Sequence, residues 1–293
     1  MDWAKAKTIL ITVFLAINIF LAYMIIGANT GSIGYVDGER VKKITNYLAE
    51  RDITIKGQIP LKKVEMPSIT VKYQLFNKED IAKRIFLPEI KVEESKEGST
   101  VKLSGDSLEV SIKDSRELVY IDNSIKPSAA IDQKTCSNRI KEFLDRLGLK
   151  DDADIRQVED LEGYKRFVYG QSFKGAVIYN SVMEFYVNDA GVQRARITWF
   201  DTVKQASRKA NVISPEIALL SLPKYKADIA AQSIEVREVQ QGYYFGTGAS
   251  GQVDTSKVEE GTAFPVWKIT TDKDMIYINA YNEKVESVEK ARK

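Results

Sequence analysis

The sequence predicts an α+β fold in which one N-terminal transmembrane helix is followed by two related extracytoplasmic domains of antiparallel sheet with packed helices. Three observations predict it. Thr8 to Ala28 reads TILITVFLAINIFLAYMIIGA, an uncharged and mostly apolar run. Beyond it, alternating strand patterns come in hairpins separated by isolated amphipathic helices, which is the pattern of an α+β chain rather than of a parallel sheet. A helix motif also recurs, because Ile44-x-x-Tyr47-Leu48 returns as Ile140-x-x-Phe143-Leu144.

The apolar run comes first. As a helix rising ~1.5 Å per residue it would span roughly 32 Å, matching the ~30 Å hydrocarbon core of a bilayer. It lacks the polar stripe of a soluble helix; Asn18 is its one strongly polar side chain, and Thr8 and Thr12 can bond their own backbone. A cleaved signal peptide is the rival reading, with Lys5 and Lys7 as a basic start and Ile26-Gly27-Ala28 as a cleavage site. Signal-peptide apolar cores run about 7–15 residues, shorter than this one, so the segment reads as an uncleaved anchor. Lys5 and Lys7 are matched by Arg40, Lys42 and Lys43 on the other side, so charge alone does not orient it. A short tail with its basic groups at the membrane stays inside, whereas long C-terminal domains cross regardless of charge. The expected layout is a cytoplasmic tail (1–7), a transmembrane helix (8–28), a linker (29–36) and an exterior portion, in the cell membrane.

Composition narrows what that exterior does. Basic residues number 43 and acidic ones 41, with no basic block of the kind phosphate backbones require, so nucleic acid is excluded as a partner. Cys136 is the single cysteine, so no internal disulfide can form and the exterior must be held by hydrophobic cores. The chain has no histidine, which removes Ser-His-Asp and Cys-His catalysis and imidazole metal ligands. No cofactor is implied.

The linker NTGSIGYV precedes a first exterior domain at 37–125. Asp37 is its N-cap, and Val41, Ile44 and Leu48 form the apolar face of the helix that follows. Ile69, Val71, Tyr73 and Leu75 alternate as a half-buried strand. Asn77 caps a short helix with Ile81 and Ile85 buried and Leu87-Pro88 as its end. EESKEGST, 93–100, reads as a mobile loop before a hairpin of 107–112 and 118–121. The segment IKPSAA, 125–130, interrupts the pattern and marks the boundary to a second domain, 130–293. There Asp132 starts a helix with Cys136, Ile140, Phe143, Leu144 and Leu147 on one face and Gly148 as its stop. The strand pattern of 177–187 turns through Asn188-Asp189-Ala190-Gly191 and returns over 192–200, a clear antiparallel hairpin. Ser214 and Pro215 start a helix running to Leu222 before Pro223. Strands at 264–270 and 275–281 close the domain.

Several residues are weighed as sites. Asn18 shares a helix face with Ile11, Leu15, Ala22 and Ile25, a spacing that packs against a partner helix. Its bland alternative is an amide tolerated through its own backbone or through a homodimer. Gly246-Thr247-Gly248-Ala249-Ser250-Gly251 lacks the Gly-Lys-Ser/Thr and the strand-to-helix setting of a phosphate loop, and reads as a hairpin connection. Asp151, Asp152 and Asp154 lack the spacing of a calcium loop and read as a solvated connector. Cys136 lies on an apolar face and reads as a buried thiol. Trp199, Tyr243, Tyr244, Phe245 and Trp267 read as core, with an exterior docking groove as their alternative. No carboxylate pair is marked as a glycosidase site, which leaves an envelope hydrolase as the weakest option.

The chain resembles the YycI family in Met1-Asp2-Trp3, Ala6-Lys7-Thr8-Ile9 and Asn18-Ile19-Phe20-Leu21 at its start, and in Phe264-Pro265-Val266-Trp267 with Ile276-Tyr277-Ile278-Asn279-Ala280 near its end. The last pair of motifs also recurs in PepSY-like domains, so the resemblance implies PepSY-like, YycH-like exterior domains. Neither motif is chemically specific; their combination and order along the whole chain carry the resemblance. It further implies a non-enzymatic role: members act with a related anchored protein, YycH, on the sensor histidine kinase WalK and so on cell-wall metabolism. Contact through the membrane helices belongs to that picture, and the direction of regulation and any small-molecule ligand are not specified by it. The alternative is a PepSY-type exterior binding or inhibitory module with the helix as a passive tether.

Overall fold

Alternating side chains build a mainly antiparallel sheet with few helices. The computed structural model describes residues 7, 11–15, 17–18, 33–35, 37–60, 62–88, 90–128, 132–149, 153–207, 210–246 and 258–291. In chain order the elements are β1 (Ile33–Tyr35), α1 (Gly38–Ala49), β2 (Ile53–Ile55), β3 (Lys62–Val64), β4 (Ile69–Tyr73), α2 (Lys78–Ile85), β5 (Glu93–Glu97), β6 (Thr100–Gly105), β7 (Leu108–Lys113) and β8 (Glu117–Asp122). Then come α3 (Gln133–Leu147), β9 (Asp154–Leu161), β10 (Tyr164–Phe173), β11 (Ala176–Val187), β12 (Val192–Thr198) and β13 (Phe200–Gln205). The last are α4 (Pro215–Leu219), α5 (Leu222–Asp228), β14 (Ile234–Tyr244), β15 (Glu260–Thr271), β16 (Asp274–Asn279) and β17 (Val285–Lys290).

The helix starts follow from their caps. Asp37 accepts the Glu39 amide at 3.0 Å, Asn77 those of Glu79 and Asp80 at 2.9 and 3.1 Å, and Asp132 that of Thr135 at 2.8 Å. Helix α3 stops at Gly148, whose φ of 71° is the left-handed conformation a glycine adopts without strain. At Ser214 the expected cap is not made. Its hydroxyl instead donates to Glu216 Oε1 at 2.5 Å, and the helix breaks at Leu220. Pro223 then sits in the first turn of α5, where its missing N–H costs nothing, so it begins a second helix rather than following the first.

Among the described residues the strands form a 15-stranded sheet and a separate β1–β3 ribbon. EESKE, expected in a mobile loop, is strand β5. It pairs with β6 at the sheet edge, and all five of its residues are exposed. An edge strand with neither face buried has no apolar alternation to betray it, and its charges keep other chains from pairing with it. Two short pairings are parallel, β2 and β11 each along β14; the rest are antiparallel. Strands from both sides of 125–130 pair with one another: β8 with β12, β2 with β14, and β4 with β13 and β15.

Three cores result. The first runs from Phe76 to Trp199 and packs α2 and α3 on the inner face of β6–β8 and β10–β12. In the second, Leu48, Ile53, Ala218, Leu219 and Leu222 cover Trp267, Ile269, Ile276 and Ile278. The third, with Ile69, Val71, Tyr73, Ile178, Phe200, Tyr243 and Phe245, lies where strands of the other two meet. Trp267 is fully buried and still satisfied, because its indole N–H donates to the Ile213 carbonyl at 2.9 Å.

Residues 11–15 and 17–18 are helical. Among the described residues no helix is long and apolar enough to cross a membrane, and most of the 8–28 run lies outside them.

Candidate functional site

Of the five residues expected on one face of the anchor, Ile11, Leu15 and Asn18 are exposed, while Ala22 and Ile25 lie outside the described residues. Asn18 Nδ2 donates to the Phe14 carbonyl at 2.9 Å, one turn back along its own helix. A carboxamide has two N–H donors and one acceptor, so this bond satisfies the group in part.

From Ile33 onward the chain is tied into the fold. Tyr35, Gly34 and Ile33 of β1 lie opposite Lys62, Lys63 and Val64 of β3. Gln241 then clamps β3 as a neighbouring strand would: its Oε1 accepts the Val64 N–H at 3.0 Å and its Nε2 donates to the Val64 carbonyl at 2.8 Å. Helix α1 follows β1 and leans on α4 through Arg40, whose Nε is 3.6 Å from Glu216 Oε1. Glu216 is 2 % exposed, and its Oε2 has no hydrogen-bond partner among the described residues. A buried carboxylate so placed depends on its cation and on Ser214.

A second feature lies at the joint between the first core and the other two. Four stretches of chain cross it. Strand β10 breaks register between Gly170 and Gln171, where Tyr179, Asn180 and Ser181 of β11 go unopposed. Trp199 separates β12 from β13, and Gln74 donates its N–H to the Trp199 carbonyl at 2.9 Å. The Gln171 side chain fastens the break: its Oε1 accepts from Ser181 Oγ at 2.6 Å, and its Nε2 donates to the Phe200 carbonyl at 2.8 Å. Asn180 does the same for Phe245, donating to its carbonyl at 2.7 Å and accepting its N–H at 3.2 Å.

A cleft of about 320 Å³ opens there, lined by Tyr73, Arg116, Asn180, Tyr244 and Glu286 among others. The β7–β8 turn supplies Arg116 through Asp114 and Ser115, whose φ values of 51° and 56° suit a tight hairpin. Arg116 bonds the Val258 carbonyl at 3.1 Å, pairs with Asp114 at 3.4 Å and stands 5.0 Å from the centre of the Tyr73 ring. Burial pushes the Tyr73 hydroxyl up, and the Arg116 charge offsets part of that rise. Glu117 is paired with Arg196 at 2.6 Å, and Glu286 accepts from Asn279 at 2.7 Å. Asp114, also in the lining, keeps its Oδ1 buried with no hydrogen-bond partner among the described residues, so the cleft offers hydroxyl, amide and aromatic contacts beside paired and unpaired ionic groups.

The remaining candidates fall as follows. Only Gly246 of the glycine segment is described, and it abuts Glu286. Asp154 opens β9 and accepts from Ser172 at 2.9 Å, whereas Asp151 and Asp152 lie outside the described residues. Among the described residues no group of His, Cys, Asp or Glu is arranged to hold a metal ion. Cys136 is fully buried and burial pushes its thiol up, as an inert core cysteine requires. Trp199, Tyr243, Phe245 and Trp267 are core; Tyr244 is half-buried and faces the cleft. Sequence reasoning missed Gln241, Gln171 and Arg116. Each is a polar residue in a strand or turn whose partner is distant in sequence, and no local pattern marks it.

Comparison with known proteins gives three results. A family model described as YycI protein matches residues 36–281. No curated protein matches the sequence. Among solved structures, the C-terminal domain of Bacillus megaterium YpeB is similar at 14 % identity and a TM-score of 0.37, over 75 % of this chain and 100 % of that one.

Proposed function

The chain belongs to the YycI family, and from that premise we propose that it modulates a WalK-type, cell-wall-controlling sensor histidine kinase through transmembrane-helix and exterior contacts. The family is regulatory, non-enzymatic and membrane-associated, within the WalK/WalR two-component system. The finer reading is that the N-terminus is cytoplasmic and the domains extracellular, that a YycH-like protein is the second partner, and that Ile11, Leu15, Asn18, Ala22 and Ile25 form the helix face that meets the kinase.

One observation carries this reading. Strand β1, five residues past the apolar run, is hydrogen-bonded to β3, and β3 is clamped by Gln241 to β14. That tie seats the exterior fold within a few residues of the apolar run, so contacts made by the helix and by the exterior fall close together. A regulator acts only as far as it binds one kinase state better than the other, and a tenfold shift requires about 1.4 kcal/mol of differential contact. Interhelical polar contacts supply about 0.6–2 kcal/mol each. Asn18→Leu is expected to reduce co-purification of the kinase or of the YycH-like protein from detergent-solubilised membranes; undiminished recovery sinks the helix-contact reading.

The bond from Asn18 to Phe14 favours a second reading, because an amide already held by its own helix needs a partner less. In it the exterior is a PepSY-type binding or inhibitory module and the helix a passive tether. An unrelated anchor of equal length then preserves regulation, whereas the first reading requires its loss.

For the exterior, the sequential division into 37–125 and 130–293 is one proposal. Its rival is a nested division, with 76–199 inserted between 37–75 and 200–291, and the three cores and the strand pairings across 125–130 support it. After a single proteolytic cut at 125–131, sequential domains separate on native size exclusion. Nested ones co-elute.

A further inference from the structure

We propose that the exposed face of α1, together with Lys62 of β3, docks on anionic phospholipid headgroups and lays the exterior portion against the membrane. The inference rests on the anchor reading and goes beyond it. Arg40, Lys43 and Tyr47 fall at i, i+3 and i+7, one stripe of α1, and Arg51 continues it just past the helix end. All four are exposed. Lys42 is exposed beside the stripe, and the Arg51 guanidinium stacks 3.6 Å from the centre of the Tyr47 ring. With Ile44 and Leu48 of α1 packed on the second core, the exposed stripe offers cations for anionic headgroups and a tyrosine of the kind found at headgroup level.

Chain length brings this surface to the membrane. The apolar run ends at Ala28 and β1 starts at Ile33, a separation of at most ~17 Å even when fully extended. Register sets Lys62 opposite Tyr35 and Lys63 opposite Gly34, and α1 begins three residues after Tyr35. From Arg40 to Lys63 the chain has seven basic residues against Glu50 and Asp52. Just before that stretch, Asp37 is engaged as the N-cap and Glu39 lies in the first turn. Arg40 has Glu216 at 3.6 Å and is still 55 % exposed. An excess of basic charge on the exterior flank of an anchor works against the orientation expected of it, so it needs another use, and attraction to anionic headgroups is one.

The test uses the full chain in lipid nanodiscs. Because Cys136 is fully buried, Asn46→Cys on the exposed side of α1 can carry a fluorescent donor, with the unaltered chain as the labelling control. Energy transfer to a headgroup acceptor is compared in phosphatidylcholine discs with and without phosphatidylglycerol. We expect about a twofold rise with the anionic lipid. It should be lost at about 1 M NaCl, where screening acts within about 3 Å, and in the Lys42→Glu/Lys43→Glu/Lys62→Glu variant. Equal transfer in both discs, or a rise abolished by soluble glycerol phosphate, overturns the inference while leaving the anchor intact. A chain that fails to co-elute with discs overturns the anchor reading and this inference with it.

Discussion

Helices α1 and α3 carry the same motif and bury it differently. In α3, Phe143 is 1 % exposed, tilted against Tyr120 with ring centres 4.8 Å apart and edge-on to Phe185 at 6.2 Å, and four more residues of the helix are buried. In α1 the equivalent Tyr47 is 41 % exposed under Arg51, and Leu48 is the buried residue. The repeated spacing therefore sets which way a helix faces, and the layer beneath it sets how much is buried. Helix α3 is a structural member of the first core. Helix α1 contributes Leu48 to the second core and presents a polar face outward.

That contrast can be broken by measurement. Phe143→Ala should cost about 3–5 kcal/mol in urea unfolding, the price of a cavity among aromatic rings that cannot collapse. Tyr47→Ala should cost under about 1 kcal/mol, because its ring is half in water already. Equal costs would mean that α1 is as firmly seated as α3. An intermediate effect is expected at the Arg40–Glu216 pair that ties α1 to α4. Arg40→Ala leaves Glu216 buried without its cation and should cost about 1–2 kcal/mol, at the low end for such pairs because Arg40 is more than half exposed. Adding Glu216→Gln should recover part of that loss. No recovery would mean that Arg40 contributes through packing of its stem rather than through charge.

The legible parts of this chain were those whose cause is local. Caps at Asp37, Asn77 and Asp132, the stop at Gly148 and the Asn188–Gly191 hairpin each depend on a few consecutive residues, and each was readable. Strands β5 and β9 were not. Both lie at sheet edges with most side chains in water, so the period of two that reveals a half-buried strand is absent. The cleft at the joint was illegible for another reason. Tyr73, Arg116, Asn180, Tyr244 and Glu286 come from five separate strands or turns, and nothing in their own neighbourhoods marks them as a group.

By itself, then, the sequence determined the apolar run, the helices and their buried faces, the main hairpins, and the absence of histidine chemistry, because periodicity, capping and composition act over a turn or two of chain. Only the tertiary structure decided that the strands around 125–130 share one sheet. It also decided that Gln241 grips Val64 across 177 residues, and that the aromatic position of a repeated helix motif is core in Phe143 and exposed in Tyr47. Those outcomes depend on which faces meet when the sheet closes over its helices, and that is set by the sum of long-range burial rather than by any local signal.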